Sequence, residues 1–273
     1  MITGKTTICC AIGFPIGHSM SPVMHNAGYE ALGLDFIFLR FAVQDVEGAI
    51  RGMRALGIKG MGVTIPHKRA VMTFLDEIDE GAKSIGAVNT IINEGGRLLG
   101  SNTDYKAAIR ALKEATDIKG KKVILLGAGG AARGVLYGLQ QEGAETLLLN
   151  RTKEHAEKLA KEFGADFGDL SQLSKISESD IVINTTPIGM HPNTNESLVP
   201  QELLRKDLVV FDIVYNPKET KLLTEAKQKG CTIVYGHTMF LYQGVDQFEL
   251  FTGQKAPVEA MEKALLKALE GKT

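Results

Sequence analysis

Short apolar runs alternate with amphipathic stretches along most of this chain. Thr6–Ile12 reads as a first strand, ending at Gly13. Pro22–Leu32 follows as a helix, Asp35–Val43 as a strand, Val46–Leu56 as a helix and Gly60–Ile65 as a third strand. Strand, helix, strand, helix, strand predicts a parallel α/β layer. Pro66 suits the first position of a further helix. Gly86–Ile92 and Leu98–Gly100 read as strands joined by a hairpin turn at Glu94-Gly95-Gly96-Arg97, and Tyr105–Ala115 as a helix.

Beyond the polar link Asp117-Ile118-Lys119-Gly120 a second α/β series begins. Its expected elements are strand Val123–Leu126, helix Arg133–Gln141, strand Thr146–Leu149 and helix Lys153–Phe163. Strands Asp180–Asn184 and Asp207–Asp212, helix Pro217–Lys229 and a last strand Thr232–Tyr235 complete it. Thr238–Phe251 is an amphipathic helix and Val258–Leu269 a final one, and both can return to the N-terminal region. The expected division is therefore 1–104, 105–237 and 238–273 within a two-domain α/β chain. A length of 273 residues is ample for two cores.

Composition narrows the partners. The 31 basic and 32 acidic side chains nearly cancel, so nothing argues for nucleic acid or an anionic membrane surface. No apolar run approaches the ~18 residues of a membrane span, and no basic-then-apolar leader is visible. Cys9, Cys10 and Cys231 are odd in number, lack metal-ligand spacing and sit beside apolar residues. They read as buried free thiols in a reducing compartment, giving a cytoplasmic expectation and no metal site. Oligomeric state stays open, a homodimer included.

Chemistry concentrates first in the run from Lys121 to Thr152. Gly127-Ala128-Gly129-Gly130-Ala131-Ala132 matches G-x-G-x-x-A directly after a strand and before a helix, within a βαβ unit of about 30 residues. Gly127 permits the tight turn, Gly129 lets a pyrophosphate approach the backbone, and Ala132 allows close helix–strand packing. The helix N-terminus offers N–H groups and a positive dipole end. A turn that merely packs a helix on a sheet is the plainer alternative, and the second strand argues against it. That strand ends in Asn150-Arg151-Thr152, where NAD-type units usually carry Asp or Glu; a guanidinium there favours the 2′-phosphate of NADP.

Other loops offer polar groups with two readings each. Ser21 before Pro22 is a good N-cap, whereas Ser19 has no capping role, and the two hydroxyls together could hold a small carboxylate. Lys68, expected in the first turn of a helix, would face the positive dipole end and so either pair with an anion or lose proton affinity, as proton-transfer chemistry requires. A solvated surface lysine is the alternative. His67 reads as a capping or packing residue. Asn89 sits among apolar neighbours, so its amide needs a partner or a ligand. Thr103 or Asp104 could simply cap the following helix. Gln243 is either a surface residue or a donor into a site.

Taken together, several segments resemble one family, shikimate dehydrogenase. They are GFPIGHSMSPVMHN (13–26), GVTIPHK (62–68), GAVNT (86–90), NTD (102–104), GAGGAARG (127–134), NRT (150–152), INTTPIGM (183–190) and MFLYQGVDQF (239–248). The resemblance implies an N-terminal substrate domain, a Rossmann-type NADP domain and C-terminal helices returning to the first. It implies reversible NADPH-dependent reduction of 3-dehydroshikimate to shikimate, within aromatic amino-acid biosynthesis. Residue by residue, Ser19 and Ser21 match the pair holding the substrate carboxylate, and Lys68 and Asp104 the catalytic pair facing the reacting oxygen. Thr64, Asn89 and Gln243 match contacts to the ring hydroxyls, and Tyr215 another substrate contact. Gly127, Ala128, Gly129, Gly130 and Ala131 match the pyrophosphate site and Asn150, Arg151 and Thr152 the 2′-phosphate site. Ile213, Gly236 and Met239 fall where the family lines the nicotinamide pocket, and Glu80 where some members contact cofactor. One departure stands out: many members carry Asn where this chain has Gly62, which leaves one fewer amide near the ring. The rival readings are a quinate/shikimate dehydrogenase using NAD and a non-catalytic NADP-binding protein on the same fold.

Overall fold

The computed structural model describes residues 2–271, which cluster into two compact units. The first comprises residues up to Thr103 together with the stretch from Gln243 onward, and the second comprises Asp104–Tyr242.

The first unit begins with β1 (Thr7–Gly13), α1 (Ser21–Ala31), β2 (Phe36–Ala42), α2 (Val46–Ala55) and β3 (Gly60–Val63). After a short 3₁₀ turn, Ala70–Phe74, come β4 (Glu77–Ile78), α3 (Glu80–Ile85), β5 (Thr90–Glu94) and β6 (Arg97–Ser101). The sheet order is β2-β1-β3-β5-β6-β4. It is mixed rather than parallel throughout: β1 runs parallel to β2 and β3, while the β5–β6 hairpin enters antiparallel to β3. The hairpin turns where expected, with Gly95 and Gly96 both at positive φ (62° and 98°) as its tight two-residue turn demands. Period-2 alternation sorts the β1 side chains. Cys10 and Ile12 pack with Ile50 and Met53 of α2 on one face, and Cys9, which alternates with them, is also fully buried.

Three expectations for this unit are corrected. Pro66 opens no α-helix: residues 65–69 form turns leading into the 3₁₀ segment. Asp76 turns the chain back to β6, donating its N–H to the Leu98 carbonyl at 3.0 Å. Ser21 is the first residue of α1 rather than its cap, a position taken by Met20 with no side-chain hydrogen bond. Gly86–Ile92 is not one strand. Gly86, at φ 69°, ends the unexpected helix α3, which Asp79 caps by accepting from Ala82 N–H, and regular pairing starts only at Thr90.

The second unit opens with α4 (Asp104–Lys113), then β7 (Lys122–Leu126), α5 (Gly130–Gln141), β8 (Glu145–Leu149), α6 (Lys153–Phe163) and β9 (Asp166–Gly168). There follow β10 (Ile181–Asn184), β11 (Val209–Asp212), α7 (Lys221–Gln228) and β12 (Thr232–Tyr235). All neighbours in the order β12-β11-β10-β7-β8-β9 are parallel. Read from β9, this is the doubly wound 3-2-1-4-5-6 arrangement, with its reversal between β7 and β10. Val123, Leu125, Ile181 and Phe211 face a core shared with α4, α5 and α6. Ile124, Leu126, Val182 and Val210 face the opposite core with α7. The seventh helix starts at Lys221, not Pro217, because Thr220 caps it by accepting from Leu223 N–H while donating to Asp212.

Helix α8 (Gly236–Thr252) belongs to the second unit up to Tyr242 and to the first from Gln243, and α9 (Val258–Glu270) completes the first unit. Its seat is made by small residues: a Cβ on Gly28 of α1 would stand 2.8 Å from the Phe248 ring and 3.1 Å from Met261. A Cβ on Gly60 would lie 2.3 Å from Phe251.

Candidate active site

In the first unit, the loops after β1 and β3 run against each other. Gly13 is required there, since a Cβ would meet Thr64 Cγ2 at 2.4 Å, and Phe14 N–H donates to the Ile65 carbonyl. Downstream, Ser19 and Ser21 are both buried, with their hydroxyl oxygens 3.3 Å apart. Ser21 N–H also points at the Ser19 hydroxyl, and Arg40 donates to the Ser19 carbonyl at 3.0 Å, bringing a cation to the same loop. Two hydroxyls and a guanidinium suit a carboxylate.

The turn after Thr64 carries His67 and Lys68. The buried His67 ring bonds the Val43 carbonyl at 2.7 Å, so it packs as expected. The Lys68 carbonyl accepts Val88 N–H at 2.8 Å, which ties this turn to the segment leading into Asn89. Because no α-helix begins here, the dipole argument for Lys68 falls away. Its side chain is half-buried.

Asn89 is the hub of a buried network. Its Oδ1 accepts Thr103 N–H and the Thr90 hydroxyl, each at 2.8 Å, and its Nδ2 donates to Thr103 Oγ1 at 3.0 Å. The Thr103 hydroxyl contacts the Gln243 carbonyl at 3.2 Å. Thr103 thus spends its side chain on Asn89 and Gln243. Gln247 Nε2 joins the network, donating to the Thr90 hydroxyl at 3.0 Å, and these three partners of the hub, Thr90, Thr103 and Gln247, are not legible in the sequence as site residues. The one available signal is spacing, since Gln247 lies one helical turn beyond Gln243.

The second unit holds Asp104, the first residue of α4. Lys68 and Asp104 therefore belong to different units. Tyr215 follows β11 and stacks on Phe240 with ring centroids 4.5 Å apart; burial pushes its hydroxyl up to about 12, so it stays a neutral phenol.

The glycine turn sits at the sheet's reversal, between the ends of β7 and β10. Gly127 has φ 102°, and a Cβ there would stand 2.9 Å from Thr185 Oγ1 and from Thr186 Cγ2. Only glycine fits on both counts. Gly129 and Gly130 are different: an added Cβ would meet nothing within 4 Å. Open space lies over their backbone, where a pyrophosphate can approach. Gly129 caps α5 with no side-chain hydrogen bond, leaving the helix N-terminal amides to a ligand. At the end of β8, Asn150 Nδ2 donates to the Thr152 carbonyl at 2.9 Å, and the exposed Arg151 and Thr152 line a cavity with Lys153, Glu154, Asp169, Leu170 and Ser171. The cationic end of this cavity fits a 2′-phosphate, and the residues present suit a dinucleotide.

The expected nicotinamide-side residues also gather in this unit. A Cβ on Gly236 would lie 2.4 Å from the Val214 carbonyl oxygen and 2.5 Å from that of Ile213, so the two segments pass backbone to backbone. Ile213 packs against the core cluster that contains Met239. Just upstream, the fully buried Asp212 accepts from Thr220 at 2.7 Å, Asn184 at 2.9 Å and Val214 N–H at 3.1 Å. Burial pushes its carboxyl up to about 6 against those bonds. Asn184 in turn accepts from the Thr186 hydroxyl, linking the loops after β10 and β11. In the sequence, Asp212 and Asn184 stand out only as strand ends. Glu80 belongs to the first unit, at the exposed start of α3. Among the described residues, no cluster of three or more His, Cys, Asp or Glu could hold a metal ion, and no helix is long and apolar enough to cross a membrane.

Comparison with known proteins converges with this geometry. Three family models match in chain order: the shikimate dehydrogenase substrate binding domain over residues 11–91, shikimate/quinate 5-dehydrogenase over 110–227, and the shikimate 5′-dehydrogenase C-terminal domain over 236–266. Shikimate dehydrogenase (NADP(+)) of Methanothermobacter thermautotrophicus is 45% identical over 280 residues, covering 98% of this chain and 99% of the relative. A crystal structure of a shikimate dehydrogenase in complex with NADP+ superposes with a TM-score of 0.95 at 43% identity, covering 98% of each chain. The Thermus thermophilus shikimate 5-dehydrogenase, solved with NADP(H) and shikimate, gives 0.90 at 35% identity, covering 96% of this chain and all of that one (100%). With this identity spanning both units, the chain belongs to the shikimate dehydrogenase family.

Proposed function

We propose that this chain is an NADP-dependent shikimate dehydrogenase that interconverts 3-dehydroshikimate and shikimate in the pathway to chorismate and the aromatic amino acids. One observation carries the reading: 45% identity across 98% of the chain to an enzyme named for that activity and cofactor. Residues 1–104 hold substrate, 105–237 hold NADP, and 238–273 complete the substrate side. When bound, NADPH supplies the hydride. Ser19 and Ser21 hold the substrate carboxylate. Thr64, Asn89, Gln243 and Tyr215 contact the rest of the substrate. Lys68, with Asp104, stabilises the alkoxide that develops at the reacting oxygen and delivers its proton. Gly127–Ala131 hold the pyrophosphate and Asn150–Thr152 the 2′-phosphate, while Ile213, Gly236 and Met239 line the nicotinamide side.

The compartment we propose is the cytoplasm. All three cysteines are free. Burial pushes the Cys9 and Cys10 thiols up to about 11 and 12, making them inert packing groups. Mixing the protein with shikimate and NADP+ is the test. A steady rise in reduced-nicotinamide absorbance is expected, and none at any protein concentration would remove the assignment.

A further inference from the structure

Gly62 carries no side chain, yet its backbone does not call for glycine, since it is not among the positive-φ positions. Space admits a Cβ there in ordinary contact but no longer side chain. A Cβ at Gly62 would stand 3.4 Å from Gln247 Oε1 and 3.6 Å from Gln247 Nε2. The carboxamide of Gln247, 3% exposed, thus occupies the volume that a longer side chain on β3 would fill. Its Nε2 donates to the Thr90 hydroxyl at 3.0 Å and lies 3.2 Å from the Asn89 carbonyl oxygen. Thr90 is the cross-strand partner of Gly62 in the β3–β5 pair, so the amide from the helix bonds the β5 side of that pair and lies over Gly62.

These bonds have a direction. Once Thr90 Oγ1 accepts from Gln247, its own hydrogen goes to Asn89 Oδ1 at 2.8 Å. Thr103 N–H donates to the same oxygen. With Oδ1 fixed by two donors, Asn89 cannot flip its amide. One Nδ2 hydrogen goes to Thr103 Oγ1, and the second is left to donate. We propose that Gln247 is a positioning residue for substrate: from α8 it supplies the carboxamide that Gly62 lacks, and through Thr90 it holds Asn89 as a hydrogen-bond donor to a ring hydroxyl. This rests on the reading of Asn89 as a substrate contact.

The test is steady-state shikimate oxidation by the full-length enzyme at saturating NADP+, with kcat and KM separated. Gln247→Met keeps the side-chain length and removes both polar atoms. It should raise KM for shikimate about ten-fold while KM for NADP+ stays within about two-fold. Gly62→Asn alone should also be impaired, because two carboxamides then compete for one space. Combining Gly62→Asn with Gln247→Ala moves the amide from helix to strand, and should bring KM for shikimate back to within about three-fold of the parent. An unchanged KM in Gln247→Met, even with a lowered melting temperature, would mean a purely structural role and overturn the proposal. So would a double variant no better than the worse single. Asn89→Ala separates the two claims. If it raises KM while Gln247→Met does not, only the inference about Gln247 fails; if it leaves KM unchanged, the reading of Asn89 fails and takes the inference with it.

Discussion

At the scale of single residues, Lys68 and Asp212 carry the sharpest expectations. Lys68 is assigned the proton that reaches the developing alkoxide, so Lys68→Ala should lower kcat by about 10²–10⁴ while shikimate affinity changes much less. Single-turnover and steady-state rates measure this, and near-normal turnover would sink the assignment. Asp212 is a buried carboxyl whose folded value, about 6, lies above its ordinary 3.8. The folded state therefore holds this proton more tightly than the unfolded chain. That contribution to stability is fully present below pH 3.8 and is lost as pH rises through about 6. Burial acts oppositely on His25, pressing its imidazole down to about 3, so the two groups mask each other in a raw profile. The difference between parent and Asp212→Asn isolates the carboxyl. Going from about pH 4 to about pH 7, the parent should lose on the order of 2–3 kcal/mol relative to the variant in urea titrations.

At the scale of elements, the proposed seat of cofactor choice is the strand end Asn150-Arg151-Thr152. Arg151→Ala should raise KM for NADP+ roughly ten- to a hundred-fold, the worth of a charge-assisted contact, and leave KM for NAD+ nearly unchanged. Equal losses with both cofactors would contradict the assignment. This strand end and the glycine turn are legible in the sequence because each depends on a few consecutive residues with strong local preferences. Gly127 must have positive φ, and an apolar run must precede it. The turn after Thr64 is not legible, for a related reason. Pro66 signals a helix start locally, but the return of Asp76 to β6 decides the backbone there, and that contact is long-range. Likewise Ser21 has the local signature of a cap, but in the fold its N–H turns to the Ser19 hydroxyl.

At the scale of the whole molecule, the chain leaves its first unit at Thr103 and re-enters it at Gln243. The returning stretch packs closely onto small residues: Phe251 fills the space over Gly60, and Phe248 lies against Gly28. Phe251→Ala should cost about 3–5 kcal/mol in chemical denaturation, and Gly60→Ala about 1–3 kcal/mol by overpacking the same contact. The amphipathic pattern of α8 announces a packed helix. What it packs on is not readable, because Gly28 and Gly60 look like ordinary glycines until the ring above each is seen. The Asn89 network is hidden in the same way, its members being brought together from distant points in the chain. In the proposed site, Ser19, Ser21, Thr64, Asn89 and Gln243 belong to the first unit, and Tyr215 and the cofactor contacts to the second. The most direct test is kcat/KM for shikimate and for quinate, each with NADP+ and with NAD+, followed at the reduced-nicotinamide band. Shikimate with NADP+ should exceed every other pair by at least about ten-fold. Equal rates with NAD+, or a preference for quinate, would contradict it.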